Sequence, residues 1–171
     1  MYVIRLANVS DARLLPDIEK SAAQIFLGHE KFSWIAQGNV QTEQDHLNFI
    51  QRKMEWVAVN GSDEPIGFIN VEKQANSLHI CELSVCQQWQ GQGIGKQLVN
   101  HIIDLALAQK IPAISLTTFC DIPWNAPYYQ RLGFHIIKHE NLTNELKSIL
   151  QHEMDAGFQV DERCAMVKIV N

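Results

Sequence analysis

The apolar residues follow two different spacings along the chain, and each spacing predicts a type of element. Ile94, Leu98, Ile102 and Leu105 recur at intervals of three and four residues, which predicts one face of a long helix that ends before Pro112. Short runs of β-branched and aromatic residues between turn formers predict strands instead. The strands predicted in this way cover residues 2–6, 55–59, 66–71, 78–85, 113–118, 134–138 and 164–170.

Further helices are predicted between these strands. Ser10 is expected to cap a helix over residues 11–26, and other helices are expected over residues 42–52, 125–131 and 142–156. Residues 27–40 read as an ordered loop or a short helix. Turns at Asn60–Gly61 and Asn76–Ser77 join three strands into a meander, which leads into a βαβ-like unit. This order implies an α/β fold with a mixed sheet and helices on its faces, in one domain over residues 1–171.

Composition narrows the classes of protein that fit this pattern. The chain has 171 residues, of which 46% are hydrophobic, and a formal net charge of -5. A negative charge argues against nucleic acid as the partner and mildly favours a cationic substrate. No run approaches the roughly 18 apolar residues of a membrane span, and no signal peptide is visible at the start. We therefore expect no membrane partner. The four cysteines form no C-x-x-C pair, so we expect reduced thiols and a cytoplasmic location.

Three glycines alternate between the third strand of the meander and the long helix. Gly91, Gly93 and Gly95 would let backbone N–H groups approach an anion, and the helix that follows adds a partial positive charge. Lys96 stands where a Rossmann motif would need its last glycine, and Gln97 stands where a P-loop would need Ser or Thr. One glycine is enough to cap a helix. The loop therefore points to a pyrophosphate, with a simple helix cap as the alternative.

Two motifs together resemble a known family. The first is Gln90-x-x-Gly93-x-Gly95 after a strand, and the second runs from Asn125 through Tyr129 to Phe134. Both resemble the GNAT (GCN5-related N-acetyltransferase) superfamily, and the helix and strand between them fit its order. The resemblance implies the GNAT fold, a central mixed, mostly antiparallel twisted sheet of about seven strands with helices on both faces. It also implies acetyl-CoA (coenzyme A) as co-substrate.

The resemblance assigns the coenzyme to three segments of this sequence. The pantetheine arm would lie beside the end of the third meander strand, where a backbone N–H could polarise the thioester carbonyl. The glycine loop would hold the pyrophosphate, and the second motif would add one asparagine. The residues implied in this way are Leu83, Ser84, Val85, Gln90, Gly91, Gln92, Gly93, Ile94, Gly95, Lys96 and Asn125.

Direct transfer to an amine requires a base and an acid. Tyr129 matches the family tyrosine that protonates the leaving thiolate, and a core aromatic is the alternative. Glu82 interrupts an apolar strand and is the candidate base, although an exposed or ion-paired glutamate fits equally well. Asp121 is a second candidate base. An acyl-cysteine route through Cys81, Cys86 or Cys120 is less favoured than three small buried thiols.

No metal site is predicted, because each His-Glu pair lacks the second histidine of H-E-x-x-H. The segment where this family often builds its acceptor pocket contains His29, Glu30, Phe32 and Trp34, which could instead pack that loop. We therefore expect an N-acetyltransferase that acts on a primary amine of a small molecule or peptide in a ternary complex, as a monomer or homodimer. The alternative is an acyl-CoA sensor of the same fold without turnover.

Overall fold

A computed structural model describes residues 1–170 and contains seven strands and five α-helices in that range. The strands are β1 (Val3–Leu6), β2 (Glu55–Val59), β3 (Pro65–Lys73), β4 (Ser77–Val85), β5 (Ala113–Phe119), β6 (His135–Ile136) and β7 (Arg163–Ile169). The helices are α1 (Leu15–Ala23), α2 (Glu43–Gln51), α3 (Ile94–Ala108), α4 (Ala126–Arg131) and α5 (Asn144–Asp155). Short 3₁₀ helices cover Gln24–Gly28, Ser33–Gln37, Gln87–Trp89 and His139–Asn141.

The seven strands form one open sheet in the order β1-β2-β3-β4-β5-β7-β6. Neighbours β1 and β2, β2 and β3, β5 and β7, and β6 and β7 are antiparallel. Strands β4 and β5 are parallel, with Ser77 to His79 paired to Ala113 to Ser115, and β4 continues from there to Val85. The mixed, mostly antiparallel sheet implied by the resemblance is therefore confirmed.

Two compact units make up the described chain. The first comprises Met1–Val71 and Cys81–Ile102, and the second comprises Glu72–Ile80 and the residues from Ile103 onward. The core of the first unit is a buried cluster of Ala7, Leu15, Ile18, Val57, Val59 and Phe68. A core cluster of the second unit contains Leu142, Leu146 and Ala165. The expected single domain stays a prediction.

The first helix begins four residues later than its predicted start, and Ser10 is not its cap. The Ser10 hydroxyl instead donates to Asn8 Oδ1 at 2.6 Å, within a turn that precedes the helix. The Asp11 carboxylate accepts the Asn8 N–H at 2.8 Å and pairs with Arg5, also at 2.8 Å. The helix begins at Leu15, where Pro16 fits the first turn because an N–H there has no intrahelical partner. The prediction of a Ser10 cap and a start at Asp11 was wrong.

The predicted long helix is confirmed as α3, and it begins directly after the glycine loop. Ile94, Leu98 and Ile102 are each at most 1% exposed, because the helical spacing places all three on one apolar face. The strand predicted over residues 164–170 is confirmed as β7, whereas the one predicted over residues 134–138 is shorter than expected, since β6 contains only His135 and Ile136. Within residues 1–170 no helix has both the length and the apolar character needed to cross a bilayer.

Candidate functional site

The glycine loop has a backbone that only glycine adopts readily. Gly91 has φ of 75° and Gly93 has φ of 81°, both in the left-handed region. A Cβ atom built on either residue would meet no atom within 4 Å, so the loop borders open space. The first turn of α3 follows at once and leaves N–H groups without intrahelical partners. An exposed left-handed loop before a helix N-terminus fits the pyrophosphate of a coenzyme A molecule.

Gln90 holds this loop to the rest of the first unit. Its side-chain amide donates to the carbonyl of Val85 at 3.0 Å and to that of Ala22 at 3.4 Å. These bonds tie the start of the loop to the end of β4 and to the end of α1. The side-chain amide of Gln90 therefore anchors the loop. A contact between the backbone of Gln90 and the coenzyme stays a prediction.

The end of β4 lies unusually close to β3 at one glycine. A Cβ on Gly67 would be 3.0 Å from the carbonyl oxygen of Ser84 and 3.2 Å from a methyl carbon of Val85. Any larger residue at position 67 would therefore push against Ser84 and Val85, two of the three residues expected beside the pantetheine arm. Leu83 and Val85 are half-buried and Ser84 is buried. The binding of the pantetheine arm by Leu83, Ser84 and Val85 stays a prediction.

Glu82 has the neighbour on β4 that strand alternation predicts. The Ser84 hydroxyl donates to Glu82 Oε1 at 2.8 Å, which places these two side chains on one face of the strand. Ser84 is only 4% exposed and Glu82 is half-buried. The hydrogen bond from the Ser84 hydroxyl orients the Glu82 carboxyl group. Glu82 therefore remains the candidate base.

A second carboxyl group, that of Glu19 on α1, interacts electrostatically with Glu82. Burial and then the negative charge of Glu82 raise the pKa of Glu19 to about 8. The backbone N–H of Gln41 donates to Glu19 Oε2 at 3.0 Å and opposes this rise, while Asp45 and Glu55 add to it. Near neutral pH Glu19 is therefore mainly protonated, which makes it a group able to exchange protons under physiological conditions.

A buried polar network extends from Gln41 into the first unit. Asn70 Nδ2 donates to Gln41 Oε1 at 2.7 Å and to Glu55 Oε1 at 2.9 Å. His46 Nδ1 lies 2.7 Å from the same Glu55 oxygen, and Glu55, His46 and Asn70 are all 0% exposed. The contact is therefore a buried hydrogen bond between the imidazole and the carboxyl group. The network places Gln41, and thereby its N–H toward Glu19, in a fixed position.

Tyr129 lies in the second unit, on the short helix α4. Its ring packs edge-on against Phe134 at 5.7 Å and against Tyr128 at 5.3 Å between ring centres, and the residue is half-buried. Its carbonyl accepts the N–H of Phe134 at 3.0 Å. These contacts supply the packing role that was the alternative to catalysis, while partial exposure keeps the acid role open. Burial raises the pKa of Tyr128, so that hydroxyl stays protonated at neutral pH.

Two further candidates, Asn125 of the second motif and Asp121, differ in exposure. Asn125 precedes α4, and its buried side-chain oxygen has no hydrogen-bond partner among residues 1–170. Such an oxygen costs free energy unless a donor reaches it. Asp121 is exposed, so nothing in its surroundings distinguishes it as a base. The coenzyme role of Asn125 stays a prediction.

The segment expected to contribute to the acceptor pocket is partly explained by packing. Phe32 is 7% exposed, and its ring lies 4.9 Å from that of His29. The His29 ring accepts the N–H groups of Lys31 and Phe32 at 3.2 Å, so His29 holds a turn. Trp34 is 49% exposed and Glu30 is exposed as well. Phe32 and His29 therefore pack the segment, while Trp34 and Glu30 remain accessible.

Three of the four cysteines, Cys86, Cys120 and Cys164, lack the environment of a nucleophile. Burial raises the pKa of Cys86 and of Cys120, and it raises that of Cys164 to about 12. A raised pKa disfavours the thiolate that an acyl-cysteine route needs. Across residues 1–170 no group of three or more His, Cys, Asp or Glu side chains is arranged to hold a metal ion.

Glu19, Gln41, Glu55 and Asn70 were missing from the predicted site. Glu19 stands in an amphipathic helix and Glu55 at the start of an apolar strand, where a sequence pattern suggests a solvated charge. One signal in the sequence could have identified Glu55. It begins a run that is otherwise apolar, and all five residues of such a strand can be buried, as they are in β2. The partners lie 15 to 29 residues apart, too far for any local motif to join them.

Comparison with known proteins identifies a family. The model of the Acetyltransferase (GNAT) family matches residues 21–134, about two thirds of the chain. A curated relative, the peptidyl-lysine N-acetyltransferase YjaB of Salmonella typhimurium, is 30% identical over 89 residues. That match covers 52% of this chain and 55% of the relative, so the chain spans little more than half of that protein's length.

Solved structures share the fold over the full length. A GNAT-family acetyltransferase from Staphylococcus aureus superposes with a TM-score of 0.72 at 18% identity and covers 100% of both chains. The paia N-acetyltransferase of Thermoplasma acidophilum, solved in complex with coenzyme A, gives a TM-score of 0.70 at 17% identity over 99% of both chains. At these identities the likeness concerns the fold.

Replacement of Glu19 by glutamine should make stability less dependent on pH. Because the pKa of Glu19 is raised from 4.5 to about 8, the folded state binds the proton more tightly than the unfolded state. Folding stability is therefore lost as the pH rises from 4.5 to 8, and Glu19→Gln removes this loss. We expect the variant to gain at least about 1 kcal/mol over the parent protein between pH 5 and pH 9, measured by urea unfolding.

Asp17→Asn is the matched control on the same helix. It likewise replaces a carboxyl group with an amide, but the Asp17 side chain is 80% exposed, so its charge is not penalised by burial. The difference between this control and the parent should be independent of pH. A constant difference between Glu19→Gln and the parent from pH 5 to pH 9 would show that Glu19 titrates as it does in the unfolded chain.

Proposed function

The chain belongs to the Acetyltransferase (GNAT) family, and on this basis we propose that it transfers the acetyl group of acetyl-CoA to a primary amine. The observation that carries the proposal is the loop of Gly91 and Gly93, open to solvent at the start of α3. Such a loop accepts a pyrophosphate through its backbone. A reaction in the cytoplasm agrees with cysteines that are all free.

The chemistry that we propose is direct attack in a ternary complex. The amine nitrogen attacks the thioester carbonyl, and a backbone N–H near the end of β4 stabilises the oxyanion. Glu82 takes the proton that the ammonium must lose, and Tyr129 protonates the departing thiolate. Much of the rate would come from holding the two substrates together, because positioning removes the entropic cost of their encounter.

The acceptor that we propose to test first is a lysine side chain in a peptide. The curated relative is named as a peptidyl-lysine N-acetyltransferase. The negative charges of Glu82, Asp45 and Glu55, which act together on Glu19, also favour a cationic amine over a neutral one. We expect neither nucleic acid nor a membrane as partner, and either a monomer or a homodimer.

Release of free coenzyme A thiol tests the function directly. The protein is incubated with acetyl-CoA and, in separate reactions, an N-terminally blocked lysine peptide, a polyamine, an amino acid and an aminoglycoside. We expect thiol release above the rate without amine for at least one acceptor, with the acetylated amine identified by mass spectrometry. Binding of acetyl-CoA without transfer to any amine would favour the sensor alternative.

Gly93→Val should abolish acetyl-CoA binding and leave the protein folded. The valine side chain would enter the open space beside the loop, and its Cβ would strain a backbone at φ of 81°. Gly157→Val is the matched control. Gly157 also has a positive φ, of 111°, with no atom within 4 Å of an added Cβ, but it follows α5 in the second unit.

The measurement for this pair is the rise in melting temperature caused by acetyl-CoA. Both variants should melt somewhat below the parent protein, since both carry the strain. The control should keep the acetyl-CoA shift and Gly93→Val should lose it. A full shift in folded Gly93→Val would remove the loop from the coenzyme site.

Tyr129→Phe should lower kcat with little change in acetyl-CoA affinity. The ring and its packing against Phe134 are kept, and only the hydroxyl is lost. General acid catalysis typically contributes about 10²- to 10⁴-fold, so we expect the loss to fall in that range or somewhat below it. The loss should shrink with an acyl donor whose thiol is more acidic, since a better leaving group needs less protonation.

Tyr128→Phe controls for removal of a neighbouring phenol. It removes a hydroxyl from the same helix and keeps the Tyr128 ring, which packs against Tyr129. We expect its kcat to stay close to the parent value. If folded Tyr129→Phe also retained the parent kcat, Tyr129 would not be the acid.

A further inference from the structure

We propose that Ser21, in the last turn of α1, is a positioning residue for the glycine loop and thereby for acetyl-CoA. Its hydroxyl oxygen accepts the backbone N–H of Gln87 at 3.0 Å, from a residue 66 positions further along the chain. Both residues lie in the first unit. The inference rests on the proposed function, since only that function gives the glycine loop a coenzyme to hold.

The 3₁₀ helix Gln87–Trp89 leads directly into the glycine loop and lacks a cap of its own. It is closed by a hydrogen bond from the Trp89 N–H to the Cys86 carbonyl at 2.8 Å. The N–H groups at the start of a helix have no partner within it, and the side chain just before the helix often accepts one of them. Cys86 occupies that position, and its side chain makes no capping hydrogen bond. The hydroxyl of Ser21 on α1 takes this part instead.

The end of α1 also holds the residue that follows this short helix. The side-chain amide of Gln90 donates to the carbonyl of Ala22 at 3.4 Å and to that of Val85 at 3.0 Å. Ser21 and Ala22 are neighbours in the last turn of α1. The chain before the glycine loop is therefore fixed at two points by one regular helix.

The glycine loop cannot supply this order by itself. Gly91 and Gly93 have no side chains, and no atom lies within 4 Å of the positions that their Cβ atoms would take. Glycine also loses more conformational freedom than any other residue when it is ordered. A loop that is already held in place does not bear this entropic cost when a ligand binds. The hydrogen bonds from α1 thus strengthen coenzyme binding without any contact between α1 and the coenzyme.

Loss of the Ser21 hydroxyl should affect the order of the loop more than the stability of the protein. The hydrogen bond to Gln87 is exposed, so in Ser21→Ala a water molecule can accept that N–H and no donor is left unsatisfied. A water molecule does not fix the N–H relative to α1. The fraction of molecules with a binding-competent loop should therefore fall, and the apparent Kd for acetyl-CoA should rise in proportion.

The first test measures the Kd for acetyl-CoA by isothermal titration calorimetry. We expect Ser21→Ala to bind about three- to tenfold more weakly than the parent protein. Ser21→Thr keeps a hydroxyl on the same carbon atom, so it should bind acetyl-CoA within about twofold of the parent. An unchanged Kd in folded Ser21→Ala would overturn the inference.

Thr143→Ala is the matched control for the loss of a capping hydroxyl. The Thr143 hydroxyl accepts the N–H of Leu146 at 3.2 Å and caps α5 in the second unit. Its removal should lower the stability of the protein, as loss of a cap does, and leave the Kd for acetyl-CoA unchanged. Equal weakening of binding in Thr143→Ala and Ser21→Ala would show a general effect of lost stability, and Ser21 would have no positioning role.

The second test separates KM from kcat with the panel amine that is acetylated fastest. Ser21→Ala should raise the KM for acetyl-CoA and keep kcat close to the parent value, because saturating coenzyme selects the ordered loop. Ser21→Thr should restore the parent KM. A lower kcat with an unchanged KM would contradict a role of Ser21 in positioning the loop.

Amide hydrogen exchange followed by NMR tests the contact itself and requires no activity. Without coenzyme, the Gln87 N–H should exchange several-fold faster in Ser21→Ala than in the parent protein or in Ser21→Thr. In the parent, acetyl-CoA should slow this exchange further, because the ligand and the hydrogen bond favour the same loop conformation. Equal exchange of Gln87 in the parent and in Ser21→Ala would overturn the role of Ser21.

These measurements separate failure of this inference from failure of the proposed function. If the parent protein and Ser21→Ala bind acetyl-CoA equally well, only the role of Ser21 is overturned. If the parent protein binds no acetyl-CoA, the proposed function is contradicted. The exchange of the Gln87 N–H then still decides whether Ser21 orders the loop.

Discussion

The left-handed backbone at Gly91 and Gly93 is the constraint from which the site develops. These two residues turn the chain from the end of β4 into α3 with nothing packed on their outer side. A side chain at either position would meet strain even though it would meet no neighbour. The Gln90 amide then binds the loop to carbonyls of Val85 and Ala22, so the loop is fixed from one side and open on the other. This combination favours an anionic ligand over a helix cap alone.

The first unit also buries two carboxyl groups, those of Glu55 and Glu19, in different surroundings. Glu55 is fully buried, and its Oε1 accepts a hydrogen bond from Asn70 and lies 2.7 Å from His46 Nδ1. Glu19 is treated differently, because it receives one backbone N–H and faces only negative charge. A structural carboxylate would be expected to have a cation beside it. Burial and these charges raise the pKa of Glu19 to about 8.

Local patterns were enough to predict most of the fold and one part of the site. The spacing of Ile94, Leu98 and Ile102 predicted α3, and the turns after β2 and β3 predicted the meander. The alternating glycines of the loop predicted a backbone that other residues avoid, and Gly91 and Gly93 do have positive φ angles. Strand alternation also placed Glu82 and Ser84 on one face, as their hydrogen bond confirms.

The rest depended on contacts that no local pattern encodes. Ser10 looked like a helix cap, but Asn8 and Arg5 engage that turn and Pro16 sets the helix start. The groups that act on Glu19 come from the loop before α2 and from α2, β2 and β4, and its raised pKa arises only when these segments pack. Likewise, Phe32 and Trp34 are two residues apart, yet one is buried and the other half exposed.

Selective stabilisation by acetyl-CoA tests the central claim most directly. A ligand that binds only the folded state must raise its stability, by about 2.7 kcal/mol at a hundredfold excess over its Kd. Thermal unfolding is therefore measured with acetyl-CoA, with NAD and with ATP at equal concentration. The account predicts a clear rise in melting temperature with acetyl-CoA and a much smaller one with either nucleotide. An equal rise with NAD, or none with acetyl-CoA, would contradict it.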